Sequence, residues 1–389
     1  MMHFSGKEGA AANAAPAAGI SGRRRFMAGV AGGVLAGFPM IASAQKSTVL
    51  RLHGAWSAKD IFHEYALDFA KKINDMAGNR LRVDVLPAGS TVKPQDLQDA
   101  VHRGTIDGCH AVSGMWHSRN HAFSLFGAGP APGMDANVFL GWMRYGGGME
   151  LYAELVHRQL NLNVVPFFTG AMPPRPLGWF RKPVKSPEDL KGLRVRSSGM
   201  AAELLREMGA TPVAFADEDV PAAMKRSEID AAQLNNPSTD RGLGMPDAAK
   251  TCMLRSYHQT AEVFEVLINR SRFNALPAEV QAMVRHAADA ASADLSWKAL
   301  QRYPGDHAAM RDGQGVQFLR TPATVLRAQL KAWEALIGRT GSTNPFFDKI
   351  WKSQLAWSRR CAGWTRENTP DAALAQDFWL GSTRRKPKA

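Results

Sequence analysis

Cysteine is scarce in this chain: Cys109, Cys252 and Cys361 are all it has. An odd number at wide spacing excludes a disulfide framework and a metal knuckle, and at most leaves room for one bridge in an oxidising compartment. Cys109, inside an apolar strand-like run, reads as a small core residue. Catalytic signatures are missing too. No HExxH, GxSxG or CxxC pattern occurs. The glycines between Gly127 and Gly133 are interrupted by Pro130 and Pro132, and no helix of the kind a dinucleotide fingerprint requires opens there. Gly146-Gly147-Gly148 before Met149 reads as a tight helix entry rather than a phosphate cradle. After residue 44 no run is apolar enough to be a membrane span, and no low-complexity segment interrupts the chain. No run interleaves aromatic with basic side chains, so a nucleic-acid partner is not expected.

What is present begins with an address. Arg23, Arg24 and Arg25 stand before Phe26, and the stretch from Phe26 to Ala44 carries no charged side chain. It is rich in Gly and Ala and ends in Ala42-Ser43-Ala44, a small-residue site suited to a signal peptidase. Residues 1–44 read as a twin-arginine export signal, which makes the mature chain periplasmic. The full sequence has a formal net charge of +13. The leader holds Lys7, Glu8 and the three arginines, a net +3, so most of the excess stays with the mature part and favours anionic ligands. Four of the basic residues lie in the tail 381–389, which reads as disordered.

The mature chain alternates strand and helix. Thr48–His53 and Leu81–Leu86 alternate apolar with polar residues, and an amphipathic helix over 59–76 lies between them. A helix opening at Pro94 ends at Gly104, and Ile106–Val112 is the next strand. This βαβ pattern predicts an α/β fold with largely parallel sheets. It also recurs. Ala100, Arg103, Ile106 and Asp107 fall, at one constant offset, on Ala223, Arg226, Ile229 and Asp230. Two similar lobes are expected: 45–168 with 261–290, and 169–260 with 291–340. A long helix from Pro277 to about residue 309, broken near Pro304, should span them. The segment 341–380 is left as a C-terminal piece whose helix carries Phe346, Phe347, Trp351, Trp357 and Trp364.

Two sets of side chains invite chemistry. His117 and His121 have the i, i+4 spacing of a metal pair, with His110 nearby. No Asp or Glu joins them locally and the surroundings read as a solvated turn, so no metal site is expected. Arg175 and Arg196 are the stronger lead. Each sits beside a separate strand of what should be one sheet, and guanidinium binds carboxylate as a bidentate fork.

The segment GWFRKPVKSPEDLKGLRVRSSG, residues 178–199, resembles the core signature of the solute-binding receptors of tripartite ATP-independent periplasmic (TRAP) transporters, the DctP type. ATPV at 210–213, the IDA step at 229–231 and LPAEVQ at 276–281 follow in the family's order. The resemblance runs from about Val49 to beyond Phe318. It implies a two-lobe, type II-like periplasmic binding protein that is not an enzyme. Such a protein captures a small organic acid and hands it to TRAP membrane permease subunits. It assigns Arg196 the salt bridge to the ligand carboxylate. YGGGMEL at 145–151 and PLGWF at 176–180 point to the branch that binds 2-oxo or 2-hydroxy acids. That branch often holds sodium or calcium beside the carboxylate, on a glutamine and an acidic residue. Those two positions are Arg175 and Gln233 here, followed by Leu234 where the branch commonly has Trp. A guanidinium cannot coordinate a cation. The expectation is therefore binding without metal or cofactor, with Arg175 supplying fixed positive charge. Gln233, Asn235 and Asn236 are expected at the cleft, with Trp179 or Trp116 as an apolar wall and the core as the equal alternative for Trp179; Ser113 and Met115 stand where the branch places tyrosines. The branch also implies a homodimer through exchanged C-terminal helices. A ligand sensor for a membrane kinase, or a periplasmic enzyme acting on organic acids, remain the alternative readings.

Overall fold

A computed structural model describes residues 47–127 and 129–381. The leader 1–44 and the basic tail from Ser382 onward lie outside them. The strands are β1 (Thr48–Gly54), β2 (Leu81–Leu86), β3 (Gly108–Val112), β4 (Val164–Met172), β5 (Gly178–Phe180), β6 (Arg194–Arg196), β7 (Thr211–Val213), β8 (Ala231–Ala232), β9 (Thr251–Leu254), β10 (Glu262–Asn269) and β11 (Gln317–Arg320).

Local sequence explains the first units. Asp60 caps the helix Ile61–Ala77 by accepting the Phe62 amide at 2.9 Å, and Gly78, at φ 57°, ends it. The helix buries Phe62, Tyr65, Phe69 and Ile73 on one side. Gly104, left-handed at φ 73°, closes the helix Leu97–Arg103 before β3.

The strands form two sheets, ordered β2-β1-β3-β10-β4 and β11-β9-β5-β8-β6-β7. Read from its far edge, the second repeats the first: β7-β6-β8-β5-β9 stands for β2-β1-β3-β10-β4, with β11 added. In each sheet a single strand, β10 or β5, runs antiparallel to both neighbours. The sheets are therefore mixed rather than simply parallel. The reversed strands are the crossings: the chain enters the second lobe through β5 and returns to the first through β10.

The sequence repeat has a structural cause. Asp107 accepts the backbone N–H of Arg51 in β1 at 3.0 Å, and Asp230 accepts that of Arg194 in β6 at 2.9 Å. Each aspartate thus ties the turn before the third strand of its lobe to the neighbouring parallel strand.

Three details depart from the sequence reading. β4 continues to Met172 as the edge strand of the first sheet, past the expected lobe boundary at 168. Pro166 is tolerated there because an edge strand does not need every N–H. β9, unread in the sequence, pairs β5 with β11. The helix Ala278–Ala308 runs through Pro304 without a break. Pro304 deprives the Leu300 carbonyl of its donor, but Leu300 is 74% exposed, so water can take that place. This helix packs on β4 and on the helix Ile61–Ala77 of the first lobe, and on the helix Pro237–Gly242 of the second.

Two further helices, Ala323–Thr343 and Pro345–Asn368, close the chain back on both lobes, followed by Ala372–Leu380. Arg339 pairs with Glu207 of the second lobe at 2.5 Å. Trp357 donates to the Val138 carbonyl of the first at 3.0 Å, and Phe346, Phe347 and Ile350 are buried. Most of the aromatic stripe is therefore intramolecular packing. Trp364, Leu374, Phe378, Trp379 and Leu380 stay exposed. No described helix is long and apolar enough to cross a membrane.

Candidate functional site

A cavity of about 600 Å³ lies between the lobes, at the loops that follow the sheet strands, where open α/β sheets bind ligands. The first lobe contributes Trp56, Asp60 and Met115. The second contributes Arg175, Arg196, Ser197, Asp217, Gln233 and Asn235. The crossing before β10 adds His258, Gln259 and Glu262.

Arg196, the last residue of β6, is held from several sides. Its Nε donates to the Phe215 carbonyl at 3.1 Å, its Nη1 to the Gln233 carbonyl at 2.8 Å, and its Nη2 to Asp217. Asp217 is itself held by the Asn235 side-chain amide at 3.1 Å. Three of the five guanidinium N–H donors are thus committed to the protein, and two remain for another acceptor. The side chain is 14% exposed, so it is fixed and largely desolvated.

Arg175 precedes β5. Its Nη2 pairs with Glu262 at 2.9 Å, and Glu262 also accepts from Gln259 Nε2 at 2.9 Å. Glu262 is buried; burial pushes its carboxyl up to about 7, against the lowering effect of Arg175 and the Gln259 hydrogen bond. Arg175 is therefore not the uncompensated positive charge that its sequence position suggested, because β10 brings a carboxylate against it.

The remaining expected residues divide. Gln233 lines the cavity, its Oε1 accepting from Ser197 Oγ at 2.6 Å. Asn235 lines it as well and acts on Arg196 through Asp217. Asn236 does not reach it: its Oδ1 caps the helix Pro237–Gly242 by accepting the Ser238 and Thr239 backbone amides, and its Nδ2 donates to Thr239 Oγ1 at 3.0 Å. Trp179 is a core residue, 1% exposed, its Nε1 donating to the buried Asp240 at 2.7 Å. Trp116 is also core, donating to the buried Glu265 at 2.5 Å. An indole with both a packed ring and a satisfied N–H is the stable arrangement for a core Trp. Ser113 is buried, whereas Met115 lines the cavity.

The aromatic wall is Trp56, which the sequence reading passed over. It follows β1 at a strand end, and position relative to the strand was the available signal. Its Nε1 donates to His110 Nδ1 at 2.8 Å. His110, buried and stacked on Phe264 at 5.6 Å, is pushed down to about 3 by burial and stays neutral as an acceptor. Asp60 is raised to about 6, chiefly by burial, and also accepts from Thr239 of the opposite lobe at 3.0 Å.

Among the described residues lining the cavity, the buried side-chain polar atoms left without a partner are Arg175 Nε, Gln233 Nε2 and His258 Nε2. All three are nitrogens, and the arginine and glutamine atoms are donors. Unpaired buried donors call for acceptor atoms to fill the space.

The chain matches the DctP family model, described as bacterial extracellular solute-binding protein, family 7, over residues 52–339. The chain belongs to this family. A monocarboxylate 2-oxoacid-binding periplasmic protein of Nostoc sp. is 25% identical over 302 residues, covering 77% of this chain and 81% of that protein. Solved structures give the same fold. A TRAP transporter solute-binding protein of Bordetella bronchiseptica, a dimer with copurified calcium and picolinate, has a TM-score of 0.79 at 25% identity, covering 86% of this chain and 97% of its own. A TRAP periplasmic solute-binding protein of Colwellia psychrerythraea, with bound calcium and pyruvate, has a TM-score of 0.79 at 27% identity, covering 86% and 100%. One of Pseudoalteromonas atlantica, with bound sodium and pyruvate, reaches 0.78 at 26%, with the same coverage.

Arg175 and Gln233 offer no ligand pair for a hard cation, which needs several free oxygens, in this DctP-family chain. Arg175 offers only N–H groups, and the Gln233 oxygen is spent on Ser197. Asp217 gives one oxygen to Arg196 and the other to Asn235, whereas Glu262 accepts from Arg175 and Gln259 through Oε2 alone, Asp60 accepts from Phe62 and Thr239 through Oδ1 alone, and Glu218 also lines the cavity.

Proposed function

We propose that this chain is the extracytoplasmic receptor of a TRAP transporter, exported through its twin-arginine leader. It captures a small organic acid, a 2-oxo or 2-hydroxy monocarboxylate or a dicarboxylate, and delivers it to the membrane permease subunits. The observation that carries the reading is Arg196: a guanidinium fixed by Phe215, Gln233 and Asp217, with two donors left, on the wall of an interlobe cavity. A carboxylate on those donors makes a charge-assisted pair in a largely desolvated setting. Arg175 Nε and Gln233 Nε2, both unpartnered, supply donors for a second oxygen on the ligand. Trp56 and Met115 provide the apolar side.

The lining also holds Asp60, Asp217, Glu218 and Glu262. Burial raises Asp60 and Glu262 toward the protonated form, which weakens the negative field an incoming anion meets. The basic excess of the mature chain steers anions toward the molecule. Because Arg175 Nε and Gln233 Nε2 stand as unpartnered donors where a cation would need oxygens, the ligand binds without metal.

Calorimetric titration with a panel of 2-oxo, 2-hydroxy and dicarboxylic acids, with and without chelator, tests this. Binding of at least one acid is expected, unchanged by chelation and largely lost in Arg196→Ala. An unchanged dissociation constant in that variant sinks the salt bridge. Binding abolished by chelator and restored by calcium or sodium sinks the metal-free reading. A homodimer through the C-terminal helices belongs to the same proposal, resting on the exposed Trp364, Leu374, Phe378, Trp379 and Leu380.

A further inference from the structure

His117 and His121 stand alone in the sequence as a histidine pair. The fold supplies the third member from the other lobe. Glu203, on the helix Gly199–Glu207, places its Oε1 2.9 Å from His117 Nε2 and 3.3 Å from His121 Nε2. One ligand atom from each residue lies within 4.8 Å of the others. The two imidazole rings meet edge to face with centroids 4.5 Å apart, so both Nε2 atoms converge on one carboxylate.

The supporting contacts are those a metal ligand needs. His117 Nδ1 lies 2.7 Å from Ser124 Oγ. When an ion replaces the contact between Nε2 and Glu203, Nδ1–H donating to that hydroxyl turns the Nε2 lone pair to the metal and fixes the ring, the arrangement that ligating histidines commonly show. Glu203 is half-buried and His121 is 47% exposed, which leaves a face open to an entering ion and its remaining water ligand. Lobe packing is close here: a Cβ built on Gly199 would lie 3.7 Å from the His117 Cβ. Residues 197–199 line the ligand cavity, so the cluster sits at its rim.

We propose that His117, His121 and Glu203 form a site for a divalent transition-metal ion of the zinc class, which clasps the first lobe to the second beside the cleft. Two imidazole nitrogens and one carboxylate with an open position suit zinc rather than calcium or magnesium, which prefer all-oxygen sets. The site is separate from the carboxylate cavity and does not depend on what that cavity binds.

Zinc chloride itself is the probe, titrated calorimetrically into the mature, metal-stripped protein without any organic acid. One saturable equivalent is expected in the wild type, with affinity lowered at least about tenfold in His121→Ala and in Glu203→Gln. Glu203→Gln is isosteric, and His121 is a surface residue. Thermal melts without zinc check that both variants fold as the wild type does. Zinc-edge anomalous scattering should peak between the three side chains. No saturable zinc site, equal affinity in the wild type and both variants, or a peak elsewhere overturns the site. The clasp predicts that zinc lowers the radius of gyration of the wild type in solution scattering and leaves Glu203→Gln unchanged. A wild-type radius that does not respond overturns the clasp.

Discussion

Arg175 donates to Glu262 at 2.9 Å, and this contact joins the two strands by which the chain crosses between its lobes. Arg175 precedes β5 and Glu262 opens β10, the single reversed strand of each sheet. Both side chains line the cleft, so a ligand carboxylate competes with Glu262 for the same guanidinium.

That competition predicts a gain. Glu262→Gln removes the negative charge while keeping an oxygen to accept from Arg175. Carboxylate affinity should rise on the order of tenfold, about 1.4 kcal/mol, as the guanidinium becomes available to the ligand. Calorimetric titration of the variant against the wild type reads this directly, and weaker binding would contradict it.

Gly178 begins β5 with φ 144°, and a Cβ there would lie 2.5 Å from the Ala232 carbonyl oxygen of β8. The atoms it would meet, in Ala232 and Gln233, are all backbone, so nothing yields cheaply. Gly178→Ala should cost about 3 kcal/mol or more through combined strain and overpacking. A denaturant midpoint within error of the wild type would show that the two strands can part.

The pH dependence has two opposing components. Asp240, Glu262 and Glu265 are raised to about 7, in each case chiefly by burial. A raised carboxyl adds stability that is complete below its unfolded pKa and is lost as pH rises through 7. His110 and His258 are lowered to about 3 by burial, and they cost stability as pH falls below the ordinary histidine value. The histidine contribution is flat above about pH 6.5. The melting temperature should therefore fall between about pH 6.5 and 8, and scanning calorimetry across that range checks it. A rise over the same interval would mean the buried carboxyls ionise without penalty.

The helix Ala372–Leu380 exposes Leu374, Phe378, Trp379 and Leu380, an apolar end that nothing in the protomer covers among the described residues. If a second copy covers it, a chain ending at Asn368 should sediment as a monomer while the longer mature chain sediments as a dimer. The shortened chain should keep its ligand affinity, since the cavity receives no side chain from that helix. Equal sedimentation of the two chains would remove the C-terminal helices from the interface.

Much of this was legible in the linear sequence because local physics fixes it. The glycine stops at 78 and 104 and the strand alternation of 81–86 each depend on near neighbours, and so they read correctly, whereas the Asp60 cap went unread and the helix was begun at 59. The repeated Asp107 and Asp230 betrayed the two lobes, because each must tie down the same turn. Arg196 stood out through its surrounding motif. Trp116 was read toward the cleft and Trp179 was left between cleft and core because a Trp beside a functional strand carries no mark of which way it packs. The buried acceptors Asp240 and Glu265 decide that, and they lie far along the chain.

By itself the sequence determined the alternation of strand and helix, the duplication, the positions of both arginines and the pairing of His117 with His121. Those follow from side-chain periodicity, turn chemistry and spacing, which act over a few residues. Only the tertiary structure decided that Arg175 is met by Glu262, that Trp56 forms the aromatic wall, and that Glu203 completes the histidine pair. Each of those needs strands or helices from distant parts of the chain to meet. Burial and charge pairing between them are properties of that meeting and not of any one segment.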